Sequence, residues 1–206
     1  MWLYIILTVV LGYLLGNLNG AVCVSHLLHD DVRSHGSGNA GLTNFIRSYG
    51  ASRSLLVIVI DALKAVVACL LGGFLLKGDL GFTTGAAIGG AAVMLGHVFP
   101  VFLGFHGGKG ILSGLFIAIC VDWRVALLIL TVFAVAYFST QYVSLGSILA
   151  AITFGIGFVV FHYDNLVVML CGIFMSILAT AMHHKNIGLL IKGEERKTNL
   201  FKKDKE

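Results

Sequence analysis

Apolar runs about twenty residues long recur along this chain, and they constrain it more than any other feature. A helix rises about 1.5 Å per residue, so about 20 consecutive apolar residues cross the roughly 30 Å hydrocarbon core of a bilayer. Such runs lie near 2–24, 54–76, 84–103, 125–140, 145–161 and 165–182. In hydrocarbon no water pairs with a bare N–H or C=O, so segments of this kind fold as helices. Composition agrees: 58% of the 206 residues are hydrophobic, 12% are charged, and mean hydropathy is +0.94. A soluble domain carries about twice that charged fraction. One proline and 26 glycines suit helices that approach one another closely.

The first run, Met1 to Val24, lacks a basic start and a small-x-small cleavage site and is long enough to span, so it reads as a retained helix. The stretch 111–121 is apolar but covers only about 16 Å, a short or broken helix. Counting it predicts an all-α integral membrane protein, a seven-helix bundle in one polytopic domain over 1–190, followed by a basic cytoplasmic tail over 191–206. Charge sets the parity. With the N-terminus outside, the loop 25–53 puts Arg33, Arg47 and Arg53 inside, and the loop 104–110 adds Lys109. The tail from Lys185 adds Lys192, Arg196, Lys197, Lys202, Lys203 and Lys205, while the opposite face keeps Lys77 and Arg124. This is the positive-inside bias, with the C-terminus cytoplasmic. Joining 111–140 into one helix would put the basic tail outside. A five-helix arrangement with two re-entrant stretches keeps the parity.

Three polar segments fall on that inner face. The first runs from His35 to Arg47. Gly36, Gly38 and Gly41 let its backbone turn tightly and approach a ligand. Ser37, Asn39, Thr43 and Asn44 add neutral donors, and Arg47 a fixed charge with a planar fork. A glycine-rich loop opening a helix suits an oxyanion, usually a phosphate. The G-x-G-x-x-G pattern here is no dinucleotide site, since no buried strand precedes it. The second segment sets Lys109 among Gly107, Gly108 and Gly110, a point charge for a phosphate with N–H groups nearby to assist. Its spacing is wrong for a Walker A loop. The third is the end of the last helix, where His183 and Asn186 stand at i, i+3. The adjacent His183 and His184 point apart and no third ligand is evident, so no metal is expected.

Deeper polar residues accompany them. Asp61 and Lys64, at i, i+3, are costly in a membrane unless paired, and mutual pairing is expected. His97 precedes Phe99-Pro100 and either lines the site or caps the break. Ser144 and Ser147 follow Tyr142-Val143 near the same face. Cys23, Cys69, Cys120 and Cys171 all sit in apolar runs and read as small buried hydrophobes. Nothing points to a metal, a cofactor or a nucleic-acid partner.

These segments resemble the three signature motifs of the PlsY-type acyl-phosphate:glycerol-3-phosphate acyltransferases. The first, close to G-S-G-N-x-G-A-T-N-x-x-R, appears as Gly36 to Arg47 with Leu42 in the alanine place. The second, G-G-K-G-[VI]-A-T, appears as Gly107 to Ser113. The third, H-x-x-N-I-x-R-L-L-x-G-x-E, aligns with His183 to Glu195. The lesser segments Asp61/Lys64, Gly96–Pro100 and Val143–Ser147 match too. Three departures are visible: Leu189 stands for arginine, Asn17-Leu18-Asn19 for Ser-Ile-Pro, and Glu194 for a small residue.

The resemblance implies transfer of a fatty acyl group from acyl phosphate to the 1-hydroxyl of sn-glycerol 3-phosphate. The products are lysophosphatidic acid and phosphate, at a bacterial inner membrane, with the site facing the cytoplasm. It further implies that Ser37, Gly38 and Asn39 hold phosphate and that Arg47 and Lys109 bind the two phosphate groups. Ser147, Ser144 and Asn186 would position the glycerol hydroxyls, and His183 would bond the attacking hydroxyl or act as general base. The competing reading from the residues is a transporter or scaffold for a small phosphorylated anion. Transporters place the site near the midplane and show related halves; here the motifs cluster at one face and no repeat is visible.

Overall fold

The computed structural model describes residues 1–198, and every regular element among them is helical. The helices are α1 (Trp2–Gly16), α2 (Gly20–Leu27), α3 (Leu42–Tyr49), α4 (Ala51–Leu75), α5 (Phe82–Val98), α6 (Ile111–Val121), α7 (Trp123–Thr140), α8 (Val143–Phe161), α9 (Leu166–Ala181) and α10 (His184–Ile191). Four of them, α4, α5, α7 and α8, are long and apolar enough to cross a membrane. The number rises to six if the bent pairs α1–α2 and α9–α10 each count as one span. The short stretch at 111–121 is an eleven-residue helix.

One expected run is broken, and two others end in turns that shape the site. The first is not continuous to residue 24 but bends by 40° between α1 and α2. Asn19 starts a new helix there: its side chain accepts the Val22 N–H at 3.0 Å, as an N-cap does. The third run holds as the candidate span Phe82–Leu103, α-helical to Val98 and ending in a short 3-10 turn. Pro100 disfavours helical backbone at Phe99 and offers no N–H of its own. The last run holds as Leu166–Ala181, after which the chain turns by 54° through His183 into α10.

The bundle packs through small residues. A Cβ at Gly16 of α1 would collide with the Val93 carbonyl and Gly96 of α5. One at Gly89 of α5 would collide with the Ala68 carbonyl of α4. Backbones that meet this closely gain packing contacts that lipid does not offer them. Val93, Met94, Ile117, Ile129, Phe154, Phe158 and Met175 fill the centre. Large apolar side chains such as Leu55, Phe74, Phe138, Ile156 and Ile177 point outward and are exposed, the surface a bilayer covers.

The bundle has two polar ends. At one, the N-terminal amine meets Asp79 at 3.3 Å, Asn165 Nδ2 donates to Thr84 Oγ1 at 2.9 Å, and Asp122 receives Arg124, with His162 Nε2 lying 3.0 Å from the same carboxylate. The other end gathers the α1–α2 break, α3, the turn 99–110, the start of α8 and α10.

Candidate active site

Helix α3 is introduced by a loop whose shape is set by Gly36 and Gly38, both left-handed at φ +58° and +70°. Asn44 fixes that loop from inside. It is buried, its Oδ1 accepts the Ser37 N–H at 2.9 Å, and its Nδ2 donates to the carbonyls of Val32 and His35, each at 3.0 Å. Asn44 therefore shapes the loop, and its polar atoms are already engaged. The backbone of Gly36, Ser37 and Gly38 is exposed, and Asn39 and Thr43 are half-buried beside it.

The Lys109 loop is held from below. The N–H of Gly107 donates to Val98 O at 3.2 Å and that of Gly108 to His97 O at 3.1 Å. The expectation that the loop's N–H groups stand free is corrected for these two glycines: they anchor the loop where Pro100 has ended α5. Neither position has room for a side chain. A Cβ on Gly107 would meet the His97 carbonyl and Pro100, and one on Gly108 would meet the His97 ring. Gly110, left-handed at φ +82°, starts α6 and turns the helix N-terminus toward the Lys109 side.

Beneath both loops lies a buried ionic lock. Lys64 Nζ lies 2.7 Å from Asp61 Oδ1, 2.7 Å from Leu18 O and 2.7 Å from His97 Nδ1. These three acceptors match the three N–H bonds of an ammonium. The expected Asp61–Lys64 pairing is thus present, with His97 joined to it. Since lysine only donates, His97 Nδ1 accepts, and the ring's proton sits on Nε2. That edge faces Gly108, and the Ala40 carbonyl on the other side of Gly108 accepts from Asn19 Nδ2 at 2.9 Å. Asp61 Oδ1 accepts the Gly20 N–H at 3.1 Å. One buried cluster thus ties the α1–α2 break to both glycine loops.

Above them the third segment closes the site. Lys109 Nζ donates to Asn186 Oδ1, and Asn186 Nδ2 lies 3.1–3.2 Å from the Glu195 carboxylate. Arg47 donates from Nε and Nη2 to Thr198 Oγ1. Burial pushes the half-buried Lys109 ammonium down from the usual lysine value; the Glu195 charge opposes this, while Arg47 and Lys185 add to it. Desolvation likewise lowers Arg47, again opposed by Glu195. Lys109, Asn186 and Glu195 thus form one bonded chain, and Arg47 reaches Thr198 three residues further on. His183 is buried beside them, its Nδ1 at 2.8 Å from Ala179 O. A carbonyl only accepts, so Nδ1 carries a proton and Nε2 of the neutral ring is a free acceptor. Ser144 and Ser147 are buried in the first turns of α8, and Ser144 Oγ has no partner among the described residues. No group of metal-binding side chains occurs among the described residues.

The profile of the family described as Glycerol-3-phosphate acyltransferase matches residues 6–193. This chain belongs to that family. The glycerol-3-phosphate acyltransferase of Thermoanaerobacter sp. (strain X514) is 36% identical over 196 residues, 95% of this chain and 96% of its own length. That of Anaeromyxobacter dehalogenans (strain 2CP-C) is 39% identical over 188 residues, 90% of this chain and 93% of its own. A crystal structure of PlsY, an integral membrane glycerol 3-phosphate acyltransferase, in its glycerol 3-phosphate form superposes with a TM-score of 0.84 at 31% identity. It covers 96% of this chain and 99% of PlsY. The lysophosphatidic acid form gives 0.81 at 30% identity, with 95% and 96% covered.

The departures from the family pattern find places in this acyltransferase. Asn17 Nδ2 donates to Tyr13 O at 2.8 Å and its Oδ1 accepts the Phe102 N–H at 3.2 Å, so it pins the turn after Pro100 to α1. Asn19 caps α2 and holds Ala40. Leu189 is 38% exposed on α10. Glu195, inside the third motif, and Thr198, beyond it, meet the site without having been singled out for it. Of the basic tail, 199–206 lie outside the described residues.

Proposed function

We propose that this acyltransferase moves a fatty acyl group from acyl phosphate to the 1-hydroxyl of sn-glycerol 3-phosphate, releasing 1-acyl-glycerol 3-phosphate and inorganic phosphate. The reaction is the first step of phospholipid synthesis. The observation that carries it is that the cations of two separate glycine loops meet one short segment: Lys109 bonds Asn186, which is held by Glu195, and Arg47 bonds Thr198 three residues on. Two phosphate-bearing substrates call for two such cations.

Arg47 takes the phosphate of glycerol 3-phosphate with its fork, assisted by Ser37 and the N–H groups of Gly36, Gly38 and Asn39. Lys109 and the N-terminus of α6 at Gly110 hold the acyl phosphate and the charge that develops on its leaving group. Asn186, Ser147 and Ser144 orient the glycerol hydroxyls, and Thr43 supports the loop. The hydroxyl oxygen attacks the acyl carbon, a C–O ester bond forms, and the bond from the acyl carbon to the phosphate oxygen breaks. The proton passes to Nε2 of His183 or to a substrate phosphate oxygen. Acyl phosphate already carries a good leaving group, so no acyl-enzyme is required; positioning suffices.

The same reading has α1–α2, α4, α5, α6, α7, α8 and α9 cross a bacterial inner membrane as seven segments. The N-terminus is outside, and the site and C-terminus are cytoplasmic, which the distribution of Arg and Lys supports. Purified protein given acyl phosphate and labelled glycerol 3-phosphate should form labelled lysolipid, with Lys109→Ala nearly inert. No lysolipid, together with flux of a phosphorylated solute in liposomes, would replace the enzyme with a transporter.

A further inference from the structure

The family match ends at residue 193, yet the chain continues across the site. Gly193, Glu194, Arg196 and Lys197 are exposed, as a charged tail should be, but Thr198 is 8% exposed. All its hydrogen-bonding groups are engaged. Its N–H donates to Gln141 O at 3.0 Å, its carbonyl accepts from the Tyr137 hydroxyl at 3.1 Å, and its Oγ1 accepts two N–H bonds of Arg47. Glu195 is held by Asn186, and the Lys197 ammonium sits 5.6 Å from the centre of the Tyr142 ring. Residues 195–198 therefore form a strap from α10 to the start of α8, passing over the Arg47 fork.

A guanidinium presents a planar fork made for an oxyanion. Among the described residues no carboxylate lies within ion-pair distance of Arg47. Its fork closes on the neutral hydroxyl of Thr198. A hydroxyl is a weaker acceptor for a charged donor than a dianionic phosphate, because a charged partner roughly doubles the strength of such a bond. We propose that Thr198 is a placeholder on Arg47: the strap closes the phosphate site of the free enzyme, and glycerol 3-phosphate enters by displacing it. This rests on the reading that Arg47 binds that phosphate. The strap weakens every ligand of Arg47 by the same factor, so at a given concentration only a strongly bound anion occupies the site. Glycerol itself does not open the strap.

Two measurements on the full chain test this. In acyl transfer, Thr198→Val removes the competing hydroxyl, so KM for glycerol 3-phosphate falls by roughly tenfold while kcat holds or rises. Thr198→Ser, which keeps the hydroxyl, returns KM to the wild-type value. A merely structural role would lower kcat or raise KM, and either result, or an unchanged KM, overturns the proposal. The second measurement needs no turnover. Trypsin cuts the Lys197–Thr198 bond slowly in the free enzyme, because both backbone groups of Thr198 are held. Saturating glycerol 3-phosphate accelerates that cut, and glycerol at the same concentration does not. Slower or unchanged cleavage with glycerol 3-phosphate overturns the placeholder, slower cleavage meaning a lid that closes on substrate. If wild type makes no lysolipid, the proposed function fails alone, and the cleavage rates still decide the strap.

Discussion

The two ends of this bundle solve opposite problems with similar residues. At one end the side chains of Asp79, Asp122 and Asn165 each meet a fixed local partner. Asp122 takes Arg124 at 2.6 Å, with His162 Nε2 lying 3.0 Å from the same carboxylate, and the Arg124 guanidinium lies 4.3 Å from the centre of the Phe161 ring. Nothing there converges on an open spot. At the motif end the cations Arg47 and Lys109 have no carboxylate in direct ion-pair contact among the described residues; they rest on Thr198 and Asn186. A cation that faces neutral acceptors keeps most of its charge for a ligand, whereas one neutralised by a carboxylate does not. The same side-chain types thus build a closed clasp at one end and a receptive site at the other.

The largest effect is expected from the lock beneath the receptive end. Lys64→Met leaves the Asp61 carboxylate buried with only the Gly20 N–H in place of its cation. Breaking a buried pair in this way costs about 3–5 kcal/mol. Unfolding in detergent should show a Tm far below wild type, and folded molecules should transfer acyl groups poorly because His97 no longer fixes Gly108. A loss no greater than that of the far-end variant below would show that the lock is ordinary. Next comes Lys109→Ala, with kcat/KM lower by about 100- to 1000-fold, on the scale of a lost oxyanion donor, and Tm near wild type. Third, Asp122→Ala removes the α7 cap and both far-end partners. It should lower stability by about 1–2 kcal/mol and leave turnover per folded molecule intact. Impaired turnover there would break the division of labour between the ends.

How far this was legible in the sequence depended on the kind of signal. The long apolar helices α4, α5, α7 and α8 announce themselves, because length and hydropathy act over whole segments. The bend at Asn17–Asn19 does not: two asparagines in an apolar run look like tolerated polar residues until Val22 and Phe102 are seen to need them. Arg47, Lys109 and Asn186 could be placed at one end by charge parity and by motif. Which N–H groups of the Lys109 loop were already taken could not, since that depends on where the carbonyls of His97 and Val98 point. Thr198 was the hardest. A neutral residue in a charged tail has no periodicity to read, and its partner Arg47 is 151 positions away.

The smallest effect sharpens the comparison most. Burial lowers Lys109 from the usual lysine value, and the Glu195 charge holds it partly up. Desolvation disfavours the ammonium, while a nearby carboxylate favours it. If the protonated form binds phosphate, kcat/KM must fall with rising pH, at a pH below that of an ordinary lysine, about 10.4. Glu195→Gln keeps an acceptor for Asn186 but removes the negative charge, so the alkaline limb of kcat/KM should move lower still. Bound substrate phosphate supplies negative charge of its own, so the limb of kcat should lie higher than that of kcat/KM. At the far end the opposite holds. Arg124 is clasped by Asp122 at 2.6 Å, and its loss should leave both limbs where they are. A pH profile in which Glu195→Gln moves the limb upward, or Arg124→Ala moves it at all, would mean that the two ends are not electrostatically separate.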